Sequence, residues 1–577
     1  MLDKNSYILI KMIRTTSLKN YIRLLPICLT IFSTLFYTDN SFVEPTIIPQ
    51  WHAYNLGSIA CFMSVTLFDK KTFLKIDLLF ICLILFICYL LFFIQISSTP
   101  NNTTKILNII SFLIFIITFK FISEKQQQFI DIIIIIVCLL QACYGILQYF
   151  AFTCSNSNYF AITGSFDNPA GFAASEVASI IFGLSMLRKA KSYKLLLSIS
   201  LAIITLSIIL SGSRTGIICL FVILYMYLQN QLTKKIKYFI LFLLTSMVIF
   251  LSLLWKNNST SGRLFIWKNT TEIIKEKPLF GNGAGTFTAK YMKYQSKYFI
   301  NHPSSKYILL ADNINHPLNE YLLFVTEFGL LGFLFMIIPI ILIFSIKKNK
   351  YTICIIAIAL FSCSSYPLRY PFVVLMLSYS IANISFSRWF KFFHIGNNLK
   401  IAFIPIIGFF LYCMGNDIKF QYRWGISAQM ANYGITYNIL ARYADLWNNW
   451  NGDPLFLYNY AAILNRVGQY EASNIILIKC SRSLVDYDTE MPMADNYERS
   501  GEYQKAIDCF NTARHMCPNR FVPLYRLMII YHNYGRQEEA KSIAKTIITK
   551  PIKIQSNTVS QIRMIAQNYL NNTMIIY

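Results

Sequence analysis

The residues best suited to chemistry are three isolated arginines in polar segments between apolar runs. Arg214 is the one charged residue of segment 211–216, Arg369 is the one charged residue of segment 365–371, and Arg263 is the second residue of the run Gly-Arg-Leu-Phe-Ile-Trp. A guanidinium group is a planar fork of donors that fits a phosphate. Arg214 and Arg369 therefore predict an anion site, whereas the Arg263 segment by itself predicts a helix on the membrane surface. The structural alternative for Arg214 is a long side chain reaching from a helix end to the membrane surface.

His316 is the candidate for proton transfer, because it stands where a polar segment enters an apolar helix. Imidazole titrates near neutral pH, which suits a general base or a group that orients an acceptor hydroxyl. Asp312 and Glu320 are close enough in sequence for either to hold the imidazole tautomer. We predict a catalytic role for His316. We also predict substrate-binding roles for its polar neighbours, Asp312, Asn319, Glu320 and Glu327.

Asn168-Pro169 has two readings of equal weight. Asn is a favoured helix cap and Pro a favoured first helical residue, so the pair predicts a helix start at 168–169. The side chain of Asn168 is also a candidate substrate contact at the outer mouth of that helix.

Most of the chain is apolar enough to lie in a membrane. Hydrophobic residues make up 55% of the sequence and charged residues 14%, unlike an ordinary soluble protein. Apolar runs of about 17 to 22 residues recur, and each can cross the bilayer as a helix. The sequence predicts an all-α polytopic bundle of about thirteen transmembrane helices, near 22–38, 51–68, 76–96, 105–122, 129–151, 168–187, 194–212, 215–231, 237–255, 320–345, 351–366, 370–387 and 399–416.

The net charge of +25 is a topology signal and does not indicate a nucleic-acid partner. Lysines and arginines collect in alternate loops, whereas the loops at 39–50, 96–104 and 152–167 contain none. The positive-inside rule then places the N-terminus in the cytoplasm and both segment 256–319 and the C-terminal tail outside it.

The tail carries a repeat. Gly468, Gly501 and Gly535 recur at spacings of 33 and 34 residues, a period typical of tetratricopeptide-like helix–turn–helix pairs. We therefore predict a transmembrane domain at 1–416 and a helical-repeat domain at 417–577 that could bind a protein partner. Since stacked repeats contact mainly their neighbours, we expect the repeats to be separable from the membrane domain.

Taken in order, the polar motifs resemble the O-antigen ligase and polymerase superfamily of bacterial envelope glycosyltransferases. The resemblance covers roughly residues 130–390. Family patterns usually contain His-x-His-Asn, and here Leu318 stands in place of the second histidine. The matching motifs are Gly164-x-Phe166-x-Asn168-Pro169, Ser211-x-Ser213-Arg214, Arg263-xxx-Trp267, Pro278-xx-Gly281-x-Gly283, His316-xx-Asn319-x-Tyr321-Leu322 and Glu327-x-Gly329-xx-Gly332.

The resemblance implies a metal-independent enzyme without a cofactor in the bacterial inner membrane. It would move a glycan from undecaprenyl diphosphate to an acceptor hydroxyl on the periplasmic side. The resemblance also implies roles in diphosphate stabilisation for Arg214, Arg263 and Arg369. Lipid A core, a second glycan (as in a polymerase) and a protein remain open as acceptors. Outside the family, a transporter or flippase and a non-enzymatic scaffold are the alternatives.

The turn at Gly281–Gly285 does not indicate a nucleotide-binding loop. It follows a predicted helix instead of a strand, and it lacks the Lys-Ser/Thr ending of such loops.

Overall fold

The computed structural model describes residues 22–68, 72–96, 102–189, 192–228, 258–346, 348–384, 391–395, 397–449 and 452–571. Over these ranges the chain is almost entirely helical, and its one sheet has two short strands. The predicted all-α polytopic bundle is therefore confirmed.

The first part of the chain contains fourteen helices within the described ranges. They are α1 Leu25–Phe36, α2 Ile47–Phe68, α3 Leu78–Ile96, α4 Asn102–Lys120, α5 Glu124–Tyr149, α6 Pro169–Leu187, α7 Lys194–Leu210, α8 Arg214–Leu228, α9 Asn258–Glu276, α10 Thr286–Asn301, α11 Glu320–Phe344, α12 Lys350–Ser362, α13 Pro371–Ala382 and α14 Asn397–Tyr433.

Six described helices have the length and composition to cross a membrane. They comprise α3, α5, α6 and α11 and parts of α4 and α14, while α1, α7, α8, α12 and α13 are shorter apolar helices. Helices occur at twelve of the thirteen predicted positions, and the number of spans stays a prediction. The ninth, at 237–255, lies outside the described residues.

Contacts between loops agree with the alternation of charge. Strand β1 (Thr72–Ile76) pairs antiparallel with β2 (Lys391–Ile395), which joins two loops that the lysine pattern places on one side. The loop before α2 instead packs on the tail, where the ring centroids of Phe42 and Tyr422 are 6.2 Å apart. The two loops of each pair therefore lie close together, and the side of the membrane on which they lie stays a prediction.

A glycine turn docks on a kink in α11. Gly329 has φ 70° and interrupts the helix, so the Leu331 N–H donates to Leu279 O at 3.0 Å. A Cβ on Gly329 would lie 2.2 Å from Leu279 O, and one on Gly281 would lie 2.4 Å from Glu327 O. Only residues without a side chain allow this backbone contact, which explains why both motifs contain glycine.

The tail is a stack of helix–turn–helix pairs. Helix α14 runs unbroken through the predicted domain boundary at 416. Gly468, Gly501 and Gly535 have φ between 71° and 80° and form the turns within the three pairs, as the repeat predicts. The remaining helices are α15 Tyr437–Asn449, α16 Pro454–Arg466, α17 Tyr470–Cys480, α18 Tyr487–Arg499, α19 Tyr503–Met516, α20 Val522–Asn533, α21 Gln537–Thr549 and α22 Asn557–Leu570.

The repeats share an apolar core with the helices of segment 256–319. Helices α9 and α10 share one apolar core with the segment before α18 and with α18 and α19. The buried residues of that core include Ile266, Phe287, Tyr291, Val485, Tyr487 and Met516. Removing the repeats would expose this surface to water, which costs free energy, so we expect truncation to destabilise α9 and α10, contrary to the expectation from stacked repeats alone.

Candidate active site

The imidazole of His316 is held in one tautomer. Its Nδ1 atom accepts a hydrogen bond from the Leu318 N–H at 2.8 Å, and Leu318 adopts a positive φ of 54° to make this contact. In the neutral ring the proton is then on Nε2. Helix α9 supports the segment from the other side, since Trp267 Nε1 donates to Pro317 O at 3.0 Å.

Glu320 is the acidic partner of His316. Its Oε2 atom lies 3.7 Å from His316 Nε2, and both side chains are largely buried. Its other oxygen, Oε1, accepts from the Leu368 N–H at 3.1 Å. Glu320 therefore joins the histidine segment to the turn that carries Arg369.

Two tyrosines connect His316 to Asn168. The ring of Tyr366 packs against that of His316 with centroids 5.1 Å apart. Asn168 Nδ2 donates to Tyr366 Oη and, at 2.8 Å, to Tyr370 Oη. Tyr370 in turn donates to Asp167 Oδ1 at 2.6 Å.

Asn168 has no capacity left for substrate. Its Oδ1 atom accepts from the N–H groups of Ala170 and Gly171, which caps α6, and its two amide protons go to the tyrosines. Of the two readings the contacts favour the helix start, and the side chain of Asn168 orients Tyr366 instead of contacting substrate.

Arg263 and Arg214 are neighbouring cations beside Tyr366. Burial, followed by the positive charge of Arg214, lowers the pKa of Arg263. The buried Nε atom of Arg263 has no hydrogen-bond partner, and no carboxylate within the described ranges forms an ion pair with this side chain. Two like charges brought together, one of them partly desolvated, form a favourable site for an anion.

Arg369 is already compensated. Its Nη2 atom lies 3.5 Å from Glu44 Oε2 and 3.9 Å from Asp167 Oδ2. Burial acts to lower the pKa of Arg369, but these two carboxylates outweigh it and raise the pKa. Arg369 consequently offers an anion less net attraction than Arg263, which forms no ion pair within the described ranges.

Asn319 and Glu327 belong to the framework of the site. Asn319 caps α11 through a bond from the Leu322 N–H at 3.0 Å, and its Nδ2 donates to Cys363 O at 2.9 Å. The Glu327 carboxylate faces the N–H groups of Gly285 and Phe287 at the start of α10. Both side chains hold the elements around His316 in place.

Asp312 faces the repeats instead of His316. Its carboxylate lies 3.4 Å from Arg520 Nη2 and 3.2 Å from Lys553 Nζ. Although burial acts the other way, the Asn313 N–H, Lys553 and Arg520 together lower the pKa of Asp312. Of the two acids expected to hold the tautomer of His316, only Glu320 lies beside the ring.

Glu320 and Glu327 form part of the lining of an apolar cavity of about 420 Å³. Its walls come from α3, α4, α11, α12 and α13, all apolar helices of the bundle. Glu320, Tyr321 and Glu327 are the acidic and phenolic side chains of its lining. The hydrophobic space inside the bundle is therefore adjacent to the candidate site through Glu320.

The sequence did not single out Tyr366, Tyr370 or Glu44. Both tyrosines directly precede a proline in the segment that carries Arg369, which was the available signal. Glu44 is one of two acidic residues in a loop that has no basic residue. Its partner, Arg369, lies more than 300 residues later in the chain. Within the described residues no cluster of three or more His, Cys, Asp or Glu side chains could hold a metal ion.

A sequence model of the O-antigen ligase family matches residues 197–337. The matched region contains Arg214, Arg263, His316 and Glu320, and it ends before Arg369. No curated protein matches the chain.

Proposed function

Since the chain belongs to the O-antigen ligase superfamily, we propose that it transfers a glycan from undecaprenyl diphosphate to an acceptor hydroxyl. The observation that carries the proposal is the position of Arg263. This partly desolvated cation interacts electrostatically with Arg214 and with Tyr366, whose ring packs against that of His316. An anion site beside an acid–base pair is what this transfer requires.

The arginines would stabilise the leaving group. When the glycosidic bond breaks, negative charge grows on the lipid diphosphate, and cations fixed at that point lower the barrier. Arg214 and Arg263 are assigned to this role. Arg369, already paired with Glu44 and Asp167, gives weaker support.

His316 and Glu320 would receive the acceptor. Because His316 Nε2 and Glu320 Oε2 are 3.7 Å apart, one hydroxyl oxygen can lie about 2.8 Å from both atoms. His316 then orients the oxygen by donating from Nε2, and Glu320 takes the proton as the oxygen attacks the anomeric carbon. This division differs from the sequence-based expectation of histidine as the base, because the lone pair of Nδ1 is occupied by Leu318.

The bonds and protons balance without a further reactant. The acceptor O–H breaks, a new glycosidic bond forms, and the bond from the anomeric carbon to the diphosphate oxygen breaks. The proton on Glu320 returns to the solvent or to the released diphosphate. Attack from the face opposite the leaving group inverts the anomeric centre.

The apolar cavity would take the first isoprene units of the donor. It lies among membrane-type helices, and Glu320 is part of its lining, so a lipid in it would bring its polar end to the pair of His316 and Glu320. An apolar wall next to a charged end suits a lipid-linked substrate.

Lipid A core, a second lipid-linked glycan and a protein remain the candidate acceptors, the second corresponding to a polymerase. The family match favours transfer over the alternative of a transporter or flippase. We further assign the protein to the bacterial inner membrane with the N-terminus cytoplasmic and the site periplasmic. Reporter fusions after Lys194 and after Leu570 should then give opposite sides.

The test is reconstitution of the full chain in liposomes with an undecaprenyl-diphosphate-linked glycan and each acceptor in turn. Glycan should appear on one acceptor class without added nucleotide and in the presence of a metal chelator. Movement of donor across the bilayer without transfer to any acceptor would instead identify a flippase.

A further inference from the structure

The catalytic segment is clamped at its start by the C-terminal repeats. The carboxylate of Asp312 lies between Arg520 and Lys553, at 3.4 and 3.2 Å. Arg520 comes from the loop between α19 and α20, and Lys553 from the loop before α22. Two separate repeats therefore hold one carboxylate, four residues before His316.

Further bonds fix the backbone on either side of Asp312. Asn519 Nδ2 donates to Ala311 O, and Gln295 Nε2 donates to Asp312 O at 2.9 Å and also to Met516 O at 2.6 Å. Asn313 Nδ2 donates to carboxylates at the start of α18. The segment is thus tied to the repeats through backbone and side chains alike.

From Asp312 the contacts continue to His316 without a gap. Ile314 and Leu318 pack on the core shared by α9, α10 and the repeats. Leu318 donates to His316 Nδ1, and Pro317 accepts from Trp267 on the helix of Arg263. A displacement of Asp312 would therefore move the imidazole. It would also disturb the hydrogen bond from Trp267 to Pro317, which joins this segment to the helix of Arg263.

We propose that Arg520 and Lys553 are positioning residues for transfer, acting on His316 through Asp312. This inference rests on the proposed function and assigns the repeats a part in it. The repeats complete the active site from outside the membrane bundle, so that segment 311–319 has its reactive geometry only while they are docked.

The ion pairs contribute too little to folding for a purely structural role. Arg520 is 40% and Asp312 50% exposed, and exposed pairs add little to stability. Small displacements in an active site, by contrast, cost about a hundredfold in rate. Loss of Arg520 should consequently affect turnover while leaving the fold intact.

The test compares Arg520→Gln, Lys553→Gln and their double variant with wild type in the full-length, reconstituted protein. Arg536→Gln is the matched control, because Arg536 forms an exposed ion pair with Glu539 on the repeats. Three quantities are measured: amide hydrogen exchange of 311–319, binding of the lipid-linked donor, and transfer rate at saturating donor. Arg520→Lys tests whether charge alone restores the rate.

We expect faster exchange across 311–319 and a fall of about tenfold to a hundredfold in transfer rate, with donor affinity within about twofold of wild type. Arg520→Lys should recover part of the rate, and Arg536→Gln should match wild type. In an Asp312→Asn background, Arg520→Gln should add little further loss, because both changes break one contact.

Unchanged exchange in the double variant would overturn the clamp, whether or not the protein has transferase activity. Faster exchange with an unchanged transfer rate would overturn its role in catalysis. A wild-type protein without transfer to any acceptor would instead contradict the proposed function, and the exchange measurement would still decide whether Arg520 and Lys553 hold the segment.

Discussion

His316 Nε2 lies 3.7 Å from Glu320 Oε2, while the other nitrogen of the ring is occupied by the Leu318 N–H. The neutral imidazole is thereby set as a donor at Nε2, and Glu320 is left as the proton acceptor. The relationship gives the two residues different tasks, which substitution can separate.

Glu320→Gln should reduce the transfer rate by about a hundredfold or more, because the amide cannot take a proton. His316→Gln keeps a donor for the acceptor oxygen and should cost less than His316→Ala. Donor binding should persist in all three variants, since the arginines hold the diphosphate. Rates and donor affinities measured separately in liposomes test this order. A Glu320→Gln variant with wild-type rates would return the base to His316.

Arg263→Lys should lose most activity although its charge is kept, since a lysine cannot reproduce the planar fork. We expect the same of Arg214→Lys and a smaller loss for Arg369→Lys. The exposed Arg482 of the repeats provides the control, and Arg482→Lys should leave the donor affinity unchanged. Folded Arg263→Ala protein with full activity would rule out this anion site.

Gly329→Ala should disrupt the docking of the glycine turn on α11. The positive φ alone costs about 1–3 kcal/mol in a residue with a Cβ, and the new atom would meet backbone at 2.2 Å. Gly262→Ala is the matched change, because a Cβ there meets nothing within 4 Å. Thermal unfolding of the two purified variants should differ clearly; equal midpoints would show that the turn does not dock as described.

Lys550 should make the repeats more stable as the pH rises. Burial, followed by the charge of Arg514, lowers the pKa of Lys550 to about 7. Between this value and its ordinary value of 10.5, the unfolded chain binds more protons, so stability increases with pH through that window. Between pH 7 and 10, the unfolding midpoint of wild type should therefore rise relative to that of Lys550→Gln. Lys545→Gln, at an exposed position, should run parallel to wild type.

The membrane helices could be predicted because their signal is local. A run such as 320–345 must bury its backbone polar groups in a helix whatever its neighbours are, and α11 occupies Glu320–Phe344. The isolated arginines and His316 were found for the same reason, since a charge between apolar runs stands out in the sequence.

The remaining relationships depend on residues far apart in the chain. Asp312 was expected to serve His316, four residues away, yet it pairs with Arg520, more than 200 residues later. The sequence around the glycine turn at 281–285 indicates only that the turn follows a helix. Nothing local indicates that the turn contacts the backbone at Gly329. Hydrophobic period and motif spacing do not encode such pairings.

The central claim is tested most directly by following one turnover of purified protein in liposomes loaded with undecaprenyl-diphosphate-linked glycan and its acceptor. For each glycan joined to the acceptor, one lipid diphosphate should be released, and NMR should show an inverted anomeric configuration. Arg263→Ala should abolish both products together. Glycan transfer with retained configuration, or transfer that persists in Arg263→Ala, would contradict the account.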